Sequence, residues 1–467
     1  MRALRTAIAL VLVAGAAAGA GLTEAQKAWV AKAEKHQKKG WIYLHVEGPP
    51  RQRGFQHGYL LAEEIAETLS TCRKVWAHTS GMDWAYLVAK SKAMYTPKVD
   101  REDLAEIDGI VEGMAAAGIS TSRDEIIAYN GSIDLFDYWW PEVKKKLDSD
   151  SPNRPKQSCS SFVAVGSMTA DHGVVLGHNT MFGYVQSDAN VVLDLVPETG
   201  HRILMQTQPG WVHSGTDFFV TDAGLVGSET TIGGFHGFDE KGIPEFVRMR
   251  RATQDASSIE QWCEIMKKGN NGGYANAWLL GDVRRNEIAR LELGLKHVGF
   301  EKKTDGYFIG SNVAEDIPLL RLETDAQDLD IRNSSVARRV RWKRLMREHR
   351  GKIDLDLAKK FEADHYDTYL EKDDHPDART LCGHFELDPQ SSGKGTPYSP
   401  GGTFDSKVVD SRMARDMSFA GRWGSACGMP FDAEKFLAAH PQFDWLEGSL
   451  KSRESQPWVE FRAGESE

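Results

Sequence analysis

The sequence has few cysteines, no excess of basic residues and no Cys/His pairs at the spacing of zinc motifs. Five cysteines in 467 residues are too few for a disulfide scaffold, although setting one aside leaves four that could form two bridges. A net charge of −10 excludes nucleic acid as a main partner, because phosphate binding requires a basic patch. Without zinc or HExxH spacing, we expect no metal and no cofactor.

Long apolar runs are also missing after the first twenty residues, so we expect no transmembrane segment. Arg2 and Arg5 precede an apolar stretch at 7–13 that ends in small residues at 18–20. We therefore expect residues 1–20 to be a signal peptide and the rest of the protein to be exported. The compartment stays open among the periplasm, the exterior of the cell and a lysosome-like organelle.

What the sequence does contain is a large apolar fraction, with 41% hydrophobic and 27% charged residues, which is typical of a globular protein. Before residue 159 the periodicity is mostly helical, with a strand at 41–46 and a turn-rich segment at 49–58. After it, short β-like runs, among them 218–221, 225–231 and 306–310, alternate with helices. We expect an α+β protein in which helices cover a sheet layer.

Two charged stretches have a helical pattern. Residues 22–38 are predicted to form a helix, and so are residues 336–362. Within the second stretch, Lys and Arg cluster at 338–344. We interpret that cluster as the solvated face of a helix.

Cys159 begins a predicted strand directly after a polar, proline-bearing stretch at 148–158, which we interpret as an exposed loop. If the bond before Cys159 were cut, its own α-amine could act as the base, since the unperturbed pKa values are about 7.7–8.0 for that amine and about 8.5 for the thiol. A papain-like cysteine would instead begin a helix and use a distant histidine. A buried, inert thiol is the third possibility.

Five blocks of sequence begin at Cys159 and follow one another along the chain. They are 159–162 (CSSF), 176–180 (LGHNT), 217–220 (DFFV) leading to 227–233 (GSETTIG), 268–278 (KGNNGGYANAW) and 404–408 (FDSKV). In this order they resemble the phospholipase B-like family of the N-terminal nucleophile hydrolases. Two upstream blocks, 53–58 (RGFQHG) and 106–110 (EIDGI), resemble prosegments of the penicillin acyltransferase-like branch of that superfamily.

The resemblance implies an αββα sandwich of the N-terminal nucleophile hydrolase type. Residues 21–158 would form a mostly helical prosegment and residues 159–467 the hydrolase domain. It also implies autocatalytic cleavage between Ser158 and Cys159, after which the Cys159 thiolate attacks an acyl carbonyl and water releases the acid from the thioester. The cleaved prosegment is expected to stay associated through its apolar helix faces.

The resemblance also suggests the residues that assist Cys159. By position in the matching blocks, Asn276 and one of Thr230 and Thr231 would donate hydrogen bonds to the oxyanion. His178 would orient the amine or line the pocket. Each has an ordinary structural alternative: a strand threonine, an asparagine that caps a turn, and a satisfied core histidine.

The expected partner is a small acyl substrate with an amide or ester bond, lipid-like in the phospholipase B-like interpretation. Two other functions stay open. One is an amidase or acyltransferase like the penicillin acyltransferases, and the other is a catalytically silent, secreted binding protein of the same fold.

Overall fold

The computed structural model describes residues 21–147, 159–186, 190–215, 217–390, 392 and 395–466. The predicted signal peptide at 1–20 and the predicted loop at 148–158 lie outside the described residues, and so does the Ser158 side of the predicted cleavage point.

The strands form two sheets. They are β1 (Glu34–Lys38), β2 (Trp41–Gly48), β3 (Ser160–Val165), β4 (Val175–Gly183), β5 (Val191–Pro197), β6 (Ile203–Thr207), β7 (Phe218–Thr221), β8 (Leu225–Thr231), β9 (Asn276–Asp282), β10 (Glu287–Leu293), β11 (Val298–Lys303), β12 (Gly306–Gly310), β13 (Gly401–Asp410), β14 (Ser418–Trp423) and β15 (Val459–Arg462). The nine-stranded sheet has the order β1-β2-β5-β6-β7-β8-β9-β10-β11, and the six-stranded sheet has the order β12-β3-β4-β13-β14-β15. β2 and β5 run parallel, whereas the other neighbours in the described sheets are antiparallel.

The helices cover the outer faces of these sheets. They are α1 (Glu24–Val30), α2 (Pro50–Leu60), α3 (Ala62–Ser80), α4 (Trp84–Tyr95), α5 (Arg101–Ala116), α6 (Arg123–Asn130), α7 (Trp140–Leu147), α8 (Glu245–Asp255), α9 (Ile259–Lys267), α10 (Ile317–Leu322), α11 (Ser334–Glu348), α12 (Leu355–Glu362), α13 (Ser411–Arg415) and α14 (Ala433–Ala439). None of the helices in the described part of the chain combines the length and apolarity needed to cross a bilayer.

Successive side chains of a strand point to opposite faces of its sheet. The contacts of neighbouring residues therefore show which layer lies on each face. Phe218 of β7 lies 4.9 Å from Phe419 of β14, measured between ring centroids, so this face meets the six-stranded sheet. Its neighbour Phe219 lies 5.9 Å from Trp262 of α9, on the helical side. Outside the six-stranded sheet, Phe162 and Trp342 of α11 are 5.2 Å apart. The expected αββα sandwich is therefore confirmed.

The first part of the chain contributes to the large sheet. The strand predicted at 41–46 is confirmed as β2, which lies between β1 and β5. The helix predicted over 22–38 is wrong in its second half, because β1 pairs with β2 through a turn at Lys39 and Gly40. Both turn residues have positive φ, 50° and 84°, a conformation that ends a helix.

The prediction of a turn-rich segment at 49–58 is also wrong, because these residues form most of α2, which has a proline in its first turn. The glycines of α2 do not form turns; they allow α2 to approach α5 closely. A Cβ atom on Gly54 would lie 1.9 Å from the carbonyl oxygen of Glu106, and one on Gly58 would lie 2.1 Å from that of Ile110. The absence of side chains therefore lets α2 and α5 cross with their backbones in contact.

A buried ion network joins α2, α5 and α8. Arg53 Nε donates to Glu106 Oε2 at 2.6 Å, and Arg250 Nη2 donates to the same oxygen at 2.9 Å. All three side chains are 2% exposed or less. Burial favours the neutral acid, but Arg250 and Arg53 outweigh it and hold the pKa of Glu106 below its ordinary value. The network connects chain segments on both sides of residue 159.

The basic cluster on α11 is not the solvated helix face that the charge pattern predicts. Arg338 is fully buried. Arg339 forms a two-point ion pair with Glu315, and Arg341 forms one with Asp364. Tertiary partners that are distant in sequence therefore neutralise these charges.

We expect Gly54→Ala to lower the free energy of unfolding by about 1–3 kcal/mol, because the added methyl group forces α2 and α5 apart. The measurement is urea-induced unfolding. Gly183→Ala is the control, since a Cβ there meets only the Gln186 side chain, at 3.5 Å. Equal stability of the two variants would contradict the backbone crossing as a stabilising contact.

Candidate functional site

Cys159 lies immediately before β3 and is 2% exposed. A strand at this point confirms the sequence prediction and removes the papain-like alternative, which requires a helix. Burial raises the pKa of the Cys159 thiol to about 12, the Asp217 charge adds to this, and a backbone hydrogen bond from Met181 and the charge of Lys407 oppose it. The thiol is therefore protonated at neutral pH and needs a base.

Two carboxyl groups lie beside the thiol. Cys159 Sγ and one oxygen each from Asp217 and Glu229 all lie within 4.8 Å of one another. The Tyr274 hydroxyl contacts Asp217 Oδ2 and lies 3.0 Å from Glu229 Oε2. Burial raises the pKa of Asp217 to about 7 and that of Glu229 well above its ordinary value. Two adjacent buried carboxyls disfavour a double negative charge, so the pair holds a proton.

Cationic side chains complete the surroundings of Cys159. Arg338 Nη1 donates to the Cys159 carbonyl oxygen at 2.8 Å, and Nη2 donates to Asn312 Oδ1 at 2.7 Å. Burial lowers the pKa of Arg338 to about 10, which still leaves the guanidinium charged at neutral pH. Lys407 is fully buried and donates to Asp405 and Thr180. The site thus combines acidic and basic groups in a water-poor interior.

Backbone conformations at the site are unusual for residues other than glycine. Cys159 has φ of 71°, Asp217 of 69°, Tyr274 of 49° and Asn312 of 68°. Such left-handed conformations are uncommon and are retained where the surrounding structure enforces them. Their concentration around one thiol is typical of a functional site.

His178 lies close to the site, but it is a buried core residue with a structural hydrogen bond. His178 pairs with Ser161 in the β3–β4 ladder, and its Nε2 lies 3.0 Å from the Glu229 carbonyl oxygen. Because a carbonyl only accepts, Nε2 carries the proton, and Nδ1 has no partner among the described residues. Burial and the charge of Lys407 lower the pKa of His178 well below its ordinary value. It is a neutral cross-link between the sheets and a poor base.

The predicted oxyanion donors lie at the adjoining ends of β8 and β9. Thr231 pairs with Asn276 across the β8–β9 ladder. Thr230 packs against Gly310 of β12, since a Cβ atom added to Gly310 would lie 2.5 Å from Thr230 Oγ1. Thr230 Oγ1 and both amide atoms of Asn276 are buried without a hydrogen-bond partner in the described part of the protein. Unpaired buried polar atoms are destabilising, so they suggest a ligand-binding role.

Sequence reasoning missed five charged or phenolic residues of this site: Asp217, Glu229, Tyr274, Arg338 and Lys407. Four of them stand inside the sequence blocks that resemble the phospholipase B-like family, so those blocks held the available signal. Arg338 lies outside every block. Only the fold reveals its contact with the Cys159 carbonyl.

The fold and site define a two-sheet α+β protein with a buried cysteine at the start of an inner strand. The profile of the phospholipase B family matches residues 28–298, which is more than half of the chain. The chain therefore belongs to the phospholipase B family, and the resemblance to it is confirmed.

Individual relatives are distant in sequence. Phospholipase B of Crotalus adamanteus is 25% identical over 354 residues, covering 67% of this chain and 62% of that protein. Human phospholipase B-like 1 is 24% identical over 322 residues, covering 61% and 52%. An uncharacterized protein of Archaeoglobus fulgidus is 25% identical over 266 residues, covering 53% and 42%. The matched region thus spans less than two thirds of these relatives.

Solved structures with similarity include a mutant of the conjugated bile acid hydrolase from Clostridium perfringens. It is 10% identical, covers 56% of this chain and 88% of that chain, and has a TM-score of 0.33.

We expect the buried acid pair to make stability fall as pH rises from about 4 to about 7. In this range the folded state, with the pKa of Asp217 at about 7, binds more protons than the unfolded chain, whose aspartates titrate near 3.9. Asp217→Asn cannot titrate, so its decline should be shallower.

The measurement is the urea midpoint across this pH range. Asp356→Asn is the control, because the Asp356 side chain is 85% exposed, and it should follow the wild-type slope. Parallel curves for Asp217→Asn and the wild type would refute the assignment.

Proposed function

We propose that the protein is an exported, self-processing cysteine hydrolase that cleaves an acyl amide or ester bond through a thioester on Cys159. The observation that carries the proposal is the strand-initial thiol, whose sulfur lies within 4.8 Å of carboxyl oxygens of Asp217 and Glu229. On the strand next to that of Glu229, both amide atoms of Asn276 are buried without a partner among the described residues. The preferred substrate is lipid-like, by analogy with the phospholipase B family. Exclusion of water around such a site strengthens each polar interaction with a bound acyl group.

The first reaction of this proposal is cleavage of the bond before Cys159. Asp217 accepts the thiol proton, and the sulfur attacks the carbonyl carbon of residue 158. The C–N bond breaks as the nitrogen takes up a proton, and water then hydrolyses the thioester to leave a free α-amine and a free thiol. The φ of 71° at Cys159 supports this step, because cleavage relieves a conformation that a non-glycine residue disfavours.

The new α-amine then acts as the base in turnover. It takes the Cys159 thiol proton while the sulfur attacks the substrate carbonyl, and it returns the proton to the leaving amine or alcohol. The Asn276 amide donates to the oxyanion, and Thr231, its partner across the β8–β9 ladder, is the threonine on the same face of the sheet. Arg338 holds the Cys159 carbonyl at 2.8 Å and so fixes the position of the new terminal residue. His178 is a positioning residue that holds β4 against β8.

The segment before residue 159 stays bound after the cut in this proposal. β2 pairs with β5 over seven residue positions, from Ile42↔Val191 to Gly48↔Pro197. The buried contact of Glu106 with Arg250 adds a second connection across the cut. Removing this segment would expose a sheet edge and leave a buried arginine without its carboxylate.

Cys159→Ala should abolish both cleavage and hydrolysis, and Cys159→Ser should cleave slowly, because a hydroxyl is harder to deprotonate than a thiol. Intact mass and N-terminal sequencing of the purified protein report the cut, and acyl-lipid and acyl-amide substrates report turnover. Cys263→Ala is the control, since Cys263 is also buried but lies in α9.

Three outcomes would overturn parts of this proposal. Hydrolysis by Cys159→Ala at the wild-type rate would overturn the nucleophile. A single uncut wild-type chain without hydrolysis would favour a silent binding protein of this fold. Preference for an acyl amide with transfer to an amine acceptor would favour the penicillin acyltransferase-like alternative.

Asn276→Leu should lower kcat about 10²–10³-fold, which is typical for loss of one oxyanion donor. The same change should leave the urea midpoint unchanged or higher, because it replaces two buried polar atoms that have no partner among the described residues with methyl groups of similar size. A large loss of stability would instead indicate a structural role for the amide. Unchanged kcat would exclude Asn276 from the oxyanion site.

A further inference from the structure

Four side chains suited to zinc meet in a second cluster that the proposed hydrolase chemistry does not use. They are His365, Cys382, His384 and Cys427, and one ligand atom of each lies within 4.8 Å of the others. His365 follows α12, Cys382 and His384 lie between α12 and β13, and Cys427 follows β14. The sequence led us to expect no metal because no Cys/His pair has the spacing of a zinc motif, and of these four residues only Cys382 and His384 are close along the chain.

The distances within the cluster fit a tetrahedral ion. His384 Nε2 lies 3.6 Å from Cys382 Sγ and 3.5 Å from Cys427 Sγ. Zinc binds sulfur at about 2.3 Å and imidazole nitrogen at about 2.1 Å, so a tetrahedral angle separates the two ligand atoms by about 3.6 Å. These two nitrogen–sulfur distances therefore match the spacing of zinc ligands, and the remaining ligand atoms lie within 4.8 Å.

Hydrogen bonding around the cluster points the ligand atoms inward. His384 Nδ1 lies 2.9 Å from Glu386 Oε1, which fixes the proton on Nδ1 and leaves the Nε2 lone pair facing the sulfurs. His365 Nε2 is buried and has no hydrogen-bond partner among the described residues. The Met429 amide donates to Cys427 Sγ at 3.4 Å, as backbone amides do toward thiolates. A buried imidazole nitrogen without a partner among the described residues, on a histidine that has a ligand atom within 4.8 Å of two thiols, is the second observation in favour of an ion.

We propose that His365, Cys382, His384 and Cys427 bind one Zn²⁺ as a closed structural site. Two sulfurs and two nitrogens in tetrahedral arrangement are the preferred ligand set of zinc. Four protein ligands leave no open position for water, so the ion would stabilise the fold without taking part in hydrolysis. Cys382 is fully buried and His384 is 1% exposed, which protects the ion from exchange with solvent.

The ion would join loops that support the cysteine site. Gly383, between two of the ligands, exchanges hydrogen bonds with Thr403 of β13. A Cβ on Gly383 would lie 2.9 Å from Met181 Sδ, so this loop packs against the end of β4. The Met181 backbone in turn contacts the Cys159 thiol. Zinc would thus hold the loop that backs one wall around Cys159.

The test is metal analysis of the purified full-length protein, prepared without chelator, by inductively coupled plasma mass spectrometry. We expect about one zinc per chain in the wild type, and less than a tenth of that in His365→Ala and in Cys427→Ser. Cys72→Ser is the control, since Cys72 is buried in α3, outside the cluster, and this variant should keep the wild-type zinc content. Glu386→Gln should weaken zinc binding about 10–100-fold while the four ligands remain.

A second measurement covers variants that fail to fold. Zinc is removed from the wild type with a chelator and replaced by Co²⁺, which should give the charge-transfer absorption of cobalt–thiolate bonds and restore the melting temperature. Wild-type protein without bound metal, or with a Cys382–Cys427 disulfide found by peptide mapping under non-reducing conditions, would overturn the proposal. Equal zinc content in Cys427→Ser and the wild type would overturn it as well.

Discussion

The constraint on which this structure depends is burial of a thiol at the start of an inner strand. A residue at that position lies between the two sheets. Every polar group that contacts it is therefore buried as well and needs a hydrogen-bond or ion-pair partner. The structure meets this demand with bonds between the sheets. Ser161 and Ser228 hydroxyls lie 2.6 Å apart, and His178 reaches the Glu229 carbonyl. Among the described residues, the Asn276 amide and the Thr230 hydroxyl are buried without a partner, and a bound ligand could satisfy such groups.

Burial also determines the electrostatics of the site. It raises the pKa values of Cys159 and Asp217, while the charge of Lys407 opposes both shifts and Arg338 donates to the Cys159 carbonyl. A thiol in such surroundings ionises only with a base placed beside it. The chemistry of the site is therefore decided by proton acceptors within a few ångströms and far less by the pH of the solvent.

Much of the fold could be predicted from local patterns, because apolar runs bounded by Gly, Asp and Pro identify buried strands. The bounds predicted for β7, β8 and β12 agree with the structure. β1 and β11 escaped prediction because they are edge strands whose charged or exposed residues show no alternation of burial. α2 was mistaken for turns because its glycines serve contact with α5, a cause that lies outside the local sequence.

The candidate site was predictable only where motifs exist. Cys159, Thr230 and Asn276 stand in recognisable blocks, and the structure gives them polar atoms or positions that suit a reaction. Arg338 and the four residues of the zinc-type cluster come together only in three dimensions. Between His365 and Cys427 the chain forms β13, α13 and β14, so no local spacing rule would connect the two residues.

The parallel pairing of β2 with β5 has a consequence for how the protein must be made. One strand precedes residue 159 and the other follows it, so the proposed cut would divide a sheet that formed from one polypeptide. Two separately synthesised pieces would each have to bury half of a sheet without its neighbour. A single gene avoids this difficulty and also guarantees equal amounts of the two pieces. The mature protein would then be a heterodimer whose two pieces never existed as separate folded monomers.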